Sequence, residues 1–411
     1  MNKNNSIFYF VSRNVVFNDK IIPIVLKLAK QGNHVNTIFL DNNNFLELKK
    51  NTSYYEWLKR FTSITIVNAE LKPVVANYIL AVLRYLTLIV RMALSKQYIA
   101  FFDSKIAGKE TRILSRLARF RGRSVLYTPT YDDHWGKGYV GGVDQKREKE
   151  LYLKYTAEFL RIKSNYGERI DNPGRDQNDR NLRHDSDAVL IFHEDMDNKY
   201  KNCGRHILIR YPKLNFWWKE FVNEYPPIFD SSRIQNEERY ISVFLTHFGN
   251  YMFKDGLDLD DLLNDIIRAI RSVFPKILIV IKPKVTVDMT RLATILDHFN
   301  DPNIVTTNVP VSVLPHKSIC GITTCQTTAQ LEFLSDRAPW IEYGIYGEWW
   351  KEVYPPVSYT EKYGGIFVET YAQLEETLKG IENKRFDLDL FKDRNYYNDK
   401  EIDFNLFYYG E

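Results

Sequence analysis

Residues Ile319–Tyr343, ICGITTCQTTAQLEFLSDRAPWIEY, restrict the fold more than any other stretch of the chain. An apolar run, Ile319–Ile322, gives way to a small polar turn, Thr323–Thr328. A helical pattern over Ala329–Ser335 follows, and Pro339 then introduces a second apolar segment that closes on Glu342. Strand, turn, helix and strand in that order are the unit of a parallel α/β sheet. In such a sheet the turn lies at the carboxyl edge, where the first amides of the helix and the positive end of its dipole can hold a phosphate. Thr327 and Thr328 would add hydroxyls, and Glu332, about one helical turn further on, would point back toward a ribose diol. The plainer alternative is that Thr327-Thr328 only caps the helix and Glu332 is solvated.

The rest of the chain is large enough to complete such a fold twice. With 411 residues, 44% of them hydrophobic and 14% aromatic, it can bury two ordinary cores, which argues against disorder. Cys203, Cys320 and Cys325 have no CxxC spacing, so neither a disulfide framework nor a zinc site is expected, and the compartment reads as reducing. The apolar run before Arg13 is too short for a signal peptide, which points to the cytoplasm.

Val74–Leu94 is the longest apolar stretch. It carries Arg84 and Arg91 seven residues apart, on one helical face, and so reads as an amphipathic core helix with a wet edge rather than a membrane span. Net charge is only +4, but Arg84–Arg123 holds ten Lys or Arg residues against Asp103 and Glu110. Such a patch suits an anionic membrane surface or a phosphate-bearing acceptor, with a plain solvated face as the alternative. No helix-turn-helix, zinc-finger or RNP-type motif accompanies it, so nucleic acid is not expected as a partner.

In chain order, Ser6–Val11, a helix over Asn18–Lys30 ended by Gly32, and His34–Leu40 make an opening βαβ unit. Its first turn, Ser12-Arg13-Asn14, lacks glycine, which removes the dinucleotide fingerprint. Further strands are predicted at Ser63–Val67, Tyr98–Phe102, Ser124–Tyr127, Asp187–Phe192 and His206–Arg210. The last of the central strands, Ser124–Tyr127, runs into Thr128–Gly136, where Asp132, Asp133 and His134 are candidates for removing a proton from a hydroxyl. A surface turn rich in Asp and Gly is the competing reading. Glu224–Glu238 reads as an interdomain linker. A second α/β series follows, with strands Tyr240–Leu245 and Ile277–Ile281 and helices Leu259–Val273 and Met289–Phe299. Two such halves imply a cleft between domains.

Three features of the second half carry a family resemblance. They are the strand ending Ile279-Val-Ile-Lys282-Pro283, then Val309-Pro310-Val311 with Leu314, and Gln326-Thr-Thr-Ala-Gln-Leu-Glu332 with Pro339 seven residues later. Over Asp187–Gly344 their order resembles the GT-B glycosyltransferases, especially those that build bacterial capsule and lipopolysaccharide, and their fold relative UDP-GlcNAc 2-epimerase. Two departures stand out: Lys284 follows Lys282-Pro283 where many relatives have histidine, and the first turn lacks their glycine-rich loop.

The resemblance implies an α/β protein of two Rossmann-like domains facing each other across a cleft: residues 1–235 toward the acceptor, 236–385 toward the donor, and 386–411 as a tail packing back on the first domain. It implies a metal-independent transferase without cofactor, whose nucleotide-sugar donor is a substrate bound by His247, Lys282, Gln326, Thr327, Thr328 and Glu332. Asp132, Asp133 or His134 would be the acceptor base if the anomeric centre inverts, and the acceptor a growing surface glycan or glycolipid. A sugar-nucleotide epimerase and a non-catalytic nucleotide-sugar or glycan-binding module are the alternatives.

Overall fold

The computed structural model describes residues 5–11, 19–68, 74–103, 109–127, 186–191, 204–209, 211–245, 254, 257, 259–284, 287–325, 327–348, 359–384 and 402–409. These divide into two compact units, with the change between Ile228 and Phe229 and with the last residues returning to the first unit.

In the first unit, strand β1 (Asn5–Val11) is buried from Ile7 onward, as a run of unbroken hydrophobics requires in the middle of a parallel sheet. Helix α1 (Ile21–Lys30) follows it. The chain leaves α1 through Gly32 at φ 89°, a left-handed position that suits glycine, and enters β2 (His34–Phe39). Helices α2 (Asn42–Lys50) and α3 (Thr52–Phe61) lead to β3 (Ser63–Ile66), α4 (Val74–Leu94) to β4 (Gln97–Asp103), and α5 (Lys109–Arg121) to β5 (Arg123–Tyr127). Strands β6 (Ala188–Ile191) and β7 (Arg205–Leu208) complete a parallel sheet of order β3-β2-β1-β4-β5-β6-β7. The chain turns back after β3, so right-handed crossovers place α4 and α5 together on the face opposite α1.

Helix α4 departs from the expected core helix with a wet edge. Leu88 and Met92 are buried, and Arg84 turns inward, its Nη1 donating to the carbonyl of Ile66 at the end of β3 (3.2 Å). The outward side is apolar: Ile79, Leu83, Leu86, Val90 and Leu94 are 51–77% exposed. Of the two arginines that marked the wet edge in the sequence, Arg84 serves a strand carbonyl and Arg91 stays exposed, while the apolar stripe meets no packed surface among the described residues.

Helix α6 (Phe216–Glu224) joins this unit through Trp218, which packs edge-on against Trp57 of α3 (5.7 Å between centroids). A final helix, α13 (Phe404–Tyr408), lies at the amino-terminal edge of the sheet, where Phe407 packs on Phe101. Arg123 and Arg205, each first in its strand, donate to the carbonyls of Tyr408 and Leu406 (3.0 and 3.1 Å) and satisfy the end of that helix.

The second unit begins with α7 (Ser232–Asn236). It alternates β8 (Tyr240–Leu245), α8 (Leu259–Val273), β9 (Leu278–Pro283), α9 (Met289–Phe299), β10 (Ile304–Thr306), β11 (Ser318–Thr323), α10 (Ala329–Ser335), β12 (Trp340–Tyr343), α11 (Tyr359–Lys362), β13 (Ile366–Val368) and α12 (Tyr371–Glu382). The parallel order is β10-β9-β8-β11-β12-β13. One face of this sheet, with Val243, Ile281, Ile322 and Ile341, packs on α8 and α12. Phe244, Phe333 and Trp340 cluster with α10 on the other, with centroids 5.1–5.4 Å apart. Gly321 makes the close approach possible: a Cβ there would lie 2.4 Å from the Trp340 ring.

Candidate functional site

In the second sheet the chain runs outward from β8 to β9 and β10, then crosses back to β11 on the other side of β8. The topological switch point therefore lies between the carboxyl ends of β8 and β11, where open α/β sheets bind ligands. The turn that leaves β11 there is the Thr323–Thr328 segment singled out in the sequence.

Register aligns the site. Lys282 pairs with Phe244, Phe244 with Thr323, Thr323 with Glu342, and Glu342 with Phe367, so one row crosses the carboxyl edge of five strands. In-register side chains of parallel strands share a face, and Phe244 fixes this one as the face that carries α10. Lys282 and Thr323 are two strands apart, about 10 Å at ordinary strand spacing. Lys282, half-buried and next to last in β9, thus brings a cation to the same edge as the Thr327-Thr328 turn.

The turn is built from its own hydroxyls. Thr323 Oγ1, fully buried, donates to the carbonyl of Cys325 at 2.6 Å, and Thr327 Oγ1 accepts from the amide of Ala329 at 3.4 Å. Thr328 stands at the N-cap of α10 but makes no side-chain cap bond. The capping reading therefore holds for Thr327 and not for Thr328. Glu332, in the first turn of α10, is 5% exposed, which rules out the solvated alternative for that carboxylate.

Behind α10 lies a network that the sequence reading missed. Glu342, with no exposed surface, accepts from the Tyr346 and Thr360 hydroxyls, and Thr360 also meets Gln330 of α10. A carboxylate between Ile341 and Tyr343 in a strand buried on both faces was the available signal, because such a group must be given partners. Two neighbouring groups are held out of acid–base chemistry. Burial pushes the Cys320 thiol up to about 12, and burial, reinforced by its bond to Asp265 (2.6 Å), raises the Tyr343 phenol.

The structure therefore brings together Lys282, Thr327, Thr328 and Glu332 in one unit. Asp132, Asp133, His134, His247 and Gln326 lie outside the described residues. Among the described residues no group of three or more His, Cys, Asp or Glu is placed to hold a metal ion.

No protein-family model and no curated protein matches the sequence. Solved structures do match the fold. TcCGT1 in complex with UDP superposes with a TM-score of 0.51 at 9% identity, over 94% of this chain and 93% of its own. A protein from Listeria monocytogenes described as a UDP-N-acetylglucosamine 2-epimerase gives 0.50 at 9% identity, over 96% and 93%. UGT89C1 of Arabidopsis thaliana complexed with UDP gives 0.50 at 8% identity, over 94% and 93%. The chain has the GT-B fold of two Rossmann-like domains that the sequence resemblance implied.

Proposed function

We propose that this protein is a glycosyltransferase that moves a sugar from a nucleotide-sugar donor to a growing bacterial surface glycan. The observation that carries the reading is the register row that sets Lys282 on the same carboxyl edge as the Thr323–Thr328 turn, two strands away across the switch point of the second sheet, with Glu332 buried on the helix that follows. A cation and hydroxyls at that edge suit the phosphates of a donor, and a buried carboxylate one turn along the helix suits its ribose. In this proposal Lys282 stabilises the charge that grows on the leaving phosphate as the glycosidic bond breaks. Asp132, Asp133 or His134 takes the acceptor hydroxyl proton, and neither a metal ion nor a cofactor takes part. His247 and Gln326 complete the donor contacts. The acceptor is a capsule or lipopolysaccharide chain, or its glycolipid, reached from the cytoplasmic side at an anionic membrane surface through the basic residues of 84–123.

A thermal-shift screen against UDP, CMP, GDP and dTDP tests the donor site. Two proteins of this fold hold UDP, which makes UDP the expected ligand. A ligand at 100 times its Kd stabilises by about 2.7 kcal/mol. No shift with any nucleotide would remove the reading. The epimerase is the second reading, favoured by the fold neighbour described as one. It would exchange solvent deuterium into the sugar without an acceptor, whereas the transferase would not. A binding module would take up nucleotide and turn nothing over.

A further inference from the structure

The outward side of α4 carries an apolar stripe with helical spacing: Ile79, Leu83, Leu86, Val90 and Leu94 are each more than half exposed. The stripe runs about 22 Å along the helix at 1.5 Å per residue. Helix α5 packs beside α4 and adds Phe120, 85% exposed, and Ile113, 52% exposed. Exposed apolar surface so concentrated marks a binding face.

Charge selects what binds there. Helix α4 contains no Asp or Glu and α5 has only Glu110, at its start, whereas Arg91, Arg112 and Arg116 stand exposed beside the apolar stripe. A second copy laid on the same face would set these arginines against their own counterparts, with Glu110 the one acidic residue in the sequence of either helix. A layer of phosphates above hydrocarbon supplies both halves of what the face lacks. By length and composition Ala76–Leu94 also suffices to cross a bilayer. The fold excludes that, since α4 links β3 and β4 of one continuous sheet and is seated on the unit through Leu88 and Met92.

We propose that the α4 face inserts into the interfacial layer of an anionic bilayer, the helix lying in the membrane plane with Leu83, Leu86 and Val90 among the acyl chains and Arg91, Arg112 and Arg116 level with the phosphates. This rests on the membrane-surface part of the proposed function and replaces simple electrostatic adsorption with insertion.

The test uses the full chain and vesicles of phosphatidylcholine with and without phosphatidylglycerol. Flotation should recover the protein with the anionic vesicles. Leu83→Ser, Leu86→Ser and Val90→Ser together should lower the partition coefficient by about tenfold or more. Arg91→Gln, Arg112→Gln and Arg116→Gln should flatten its salt dependence. An environment-sensitive fluorophore on Leu86→Cys, in a Cys203→Ser background, should shift to the blue on binding. If the triple serine variant does not keep its melting transition, Leu94→Ser and the Leu86→Cys probe decide instead.

Equal partitioning of the serine variants with no blue shift would overturn insertion and leave charge adsorption standing. A protein that shifts with nucleotide but floats with no vesicle would overturn the lipid face and leave the transferase reading untouched. A dimer by light scattering that Leu83→Ser dissociates would assign the face to a second copy and overturn the proposal.

Discussion

Gln330 and Glu342, on different elements of the second unit, are joined through one hydroxyl: Thr360 Oγ1 lies 2.9 Å from Gln330 Oε1 and is hydrogen-bonded to Glu342 Oε2. A hydroxyl carries one proton, so one of its two partners must supply a hydrogen, either the Gln330 amide turned to present Nε2 or Glu342 in its protonated form. Either way the start of α10, and with it Glu332, is tied to the floor of the sheet.

Breaking that tie should be costly, because Glu342 is fully buried and a carboxylate that loses a donor there cannot recover one from water. Thr360→Val and Tyr346→Phe should each destabilise the second unit by roughly 1–3 kcal/mol, and Thr360→Ser by clearly less. Denaturant unfolding of the three variants checks this; equal midpoints for Val and Ser would show that the hydroxyl carries nothing.

Gly321→Ala tests the packing under the same site. The added methyl would meet Trp340 at 2.4–2.5 Å and Phe333 at 2.9 Å, two rings already locked against Phe244. Destabilisation of about 1–3 kcal/mol is expected, typical of overpacking a filled core. A variant as stable as the parent in the same unfolding assay would mean that the rings move freely.

Cys320 should be inert. Its thiol is pushed up to about 12 by burial, so below that pH it stays protonated, and the thiolate is the reactive form. Alkylation at pH 8 followed by peptide mass spectrometry should leave Cys320 unmodified in the folded protein and modified after denaturation. Rapid labelling of the native chain would contradict its placement in β11.

Much of this architecture was legible in the sequence because period and punctuation agreed. Tyr240–Leu245, Leu259–Val273, Met289–Phe299 and Ala329–Ser335 are found at the bounds their apolar patterns suggest. Strands β10 and β13 were not read, since three residues such as Ile304–Thr306 carry no period. Helix α12 was not read either, although Thr370 and Gln373 form a reciprocal capping box, a signal the sequence did display. For the site, the Thr-Thr turn and Glu332 could be read because a turn between strand and helix has one place in a parallel sheet. The alignment of Lys282 with Thr323 and Glu342 could not, because register between strands distant in the chain is set by packing. The outward apolar face of α4 was hidden for a related reason: its pattern is apolar on both sides, and only tertiary structure decides which side the protein covers.

Residues 131–135 and the proposed donor site make separable predictions. A base acting on the acceptor contributes in the transition state and little to nucleotide binding, so Asp132→Ala, Asp133→Ala and His134→Ala should keep nucleotide affinity within a factor of a few. One of them should lower turnover by roughly 100-fold to 10,000-fold. If all three keep near-normal transfer, residues 131–135 hold no base.

Lys282 and Glu332 should divide the nucleotide between them. In the proposed donor site Lys282, next to last in β9 and two strands from the Thr323 turn, would offer its charge to the phosphates, whereas Glu332, buried one turn along α10, would offer acceptors to a ribose diol. Lys282→Ala should therefore weaken the nucleotide and its bare diphosphate alike, by on the order of 1.5–3 kcal/mol for a charge-assisted hydrogen bond. Glu332→Gln, which keeps the volume but replaces one acceptor oxygen with a donor, should weaken the nucleotide and leave the diphosphate almost unchanged. Titration calorimetry with both ligands on both variants gives four affinities. If Glu332→Gln loses nucleotide and diphosphate equally, the carboxylate does not see ribose and acts by holding α10. If Lys282→Ala leaves both affinities unchanged, the lysine is a strand-end residue that never meets the phosphate, and the donor site must be sought on another part of the edge.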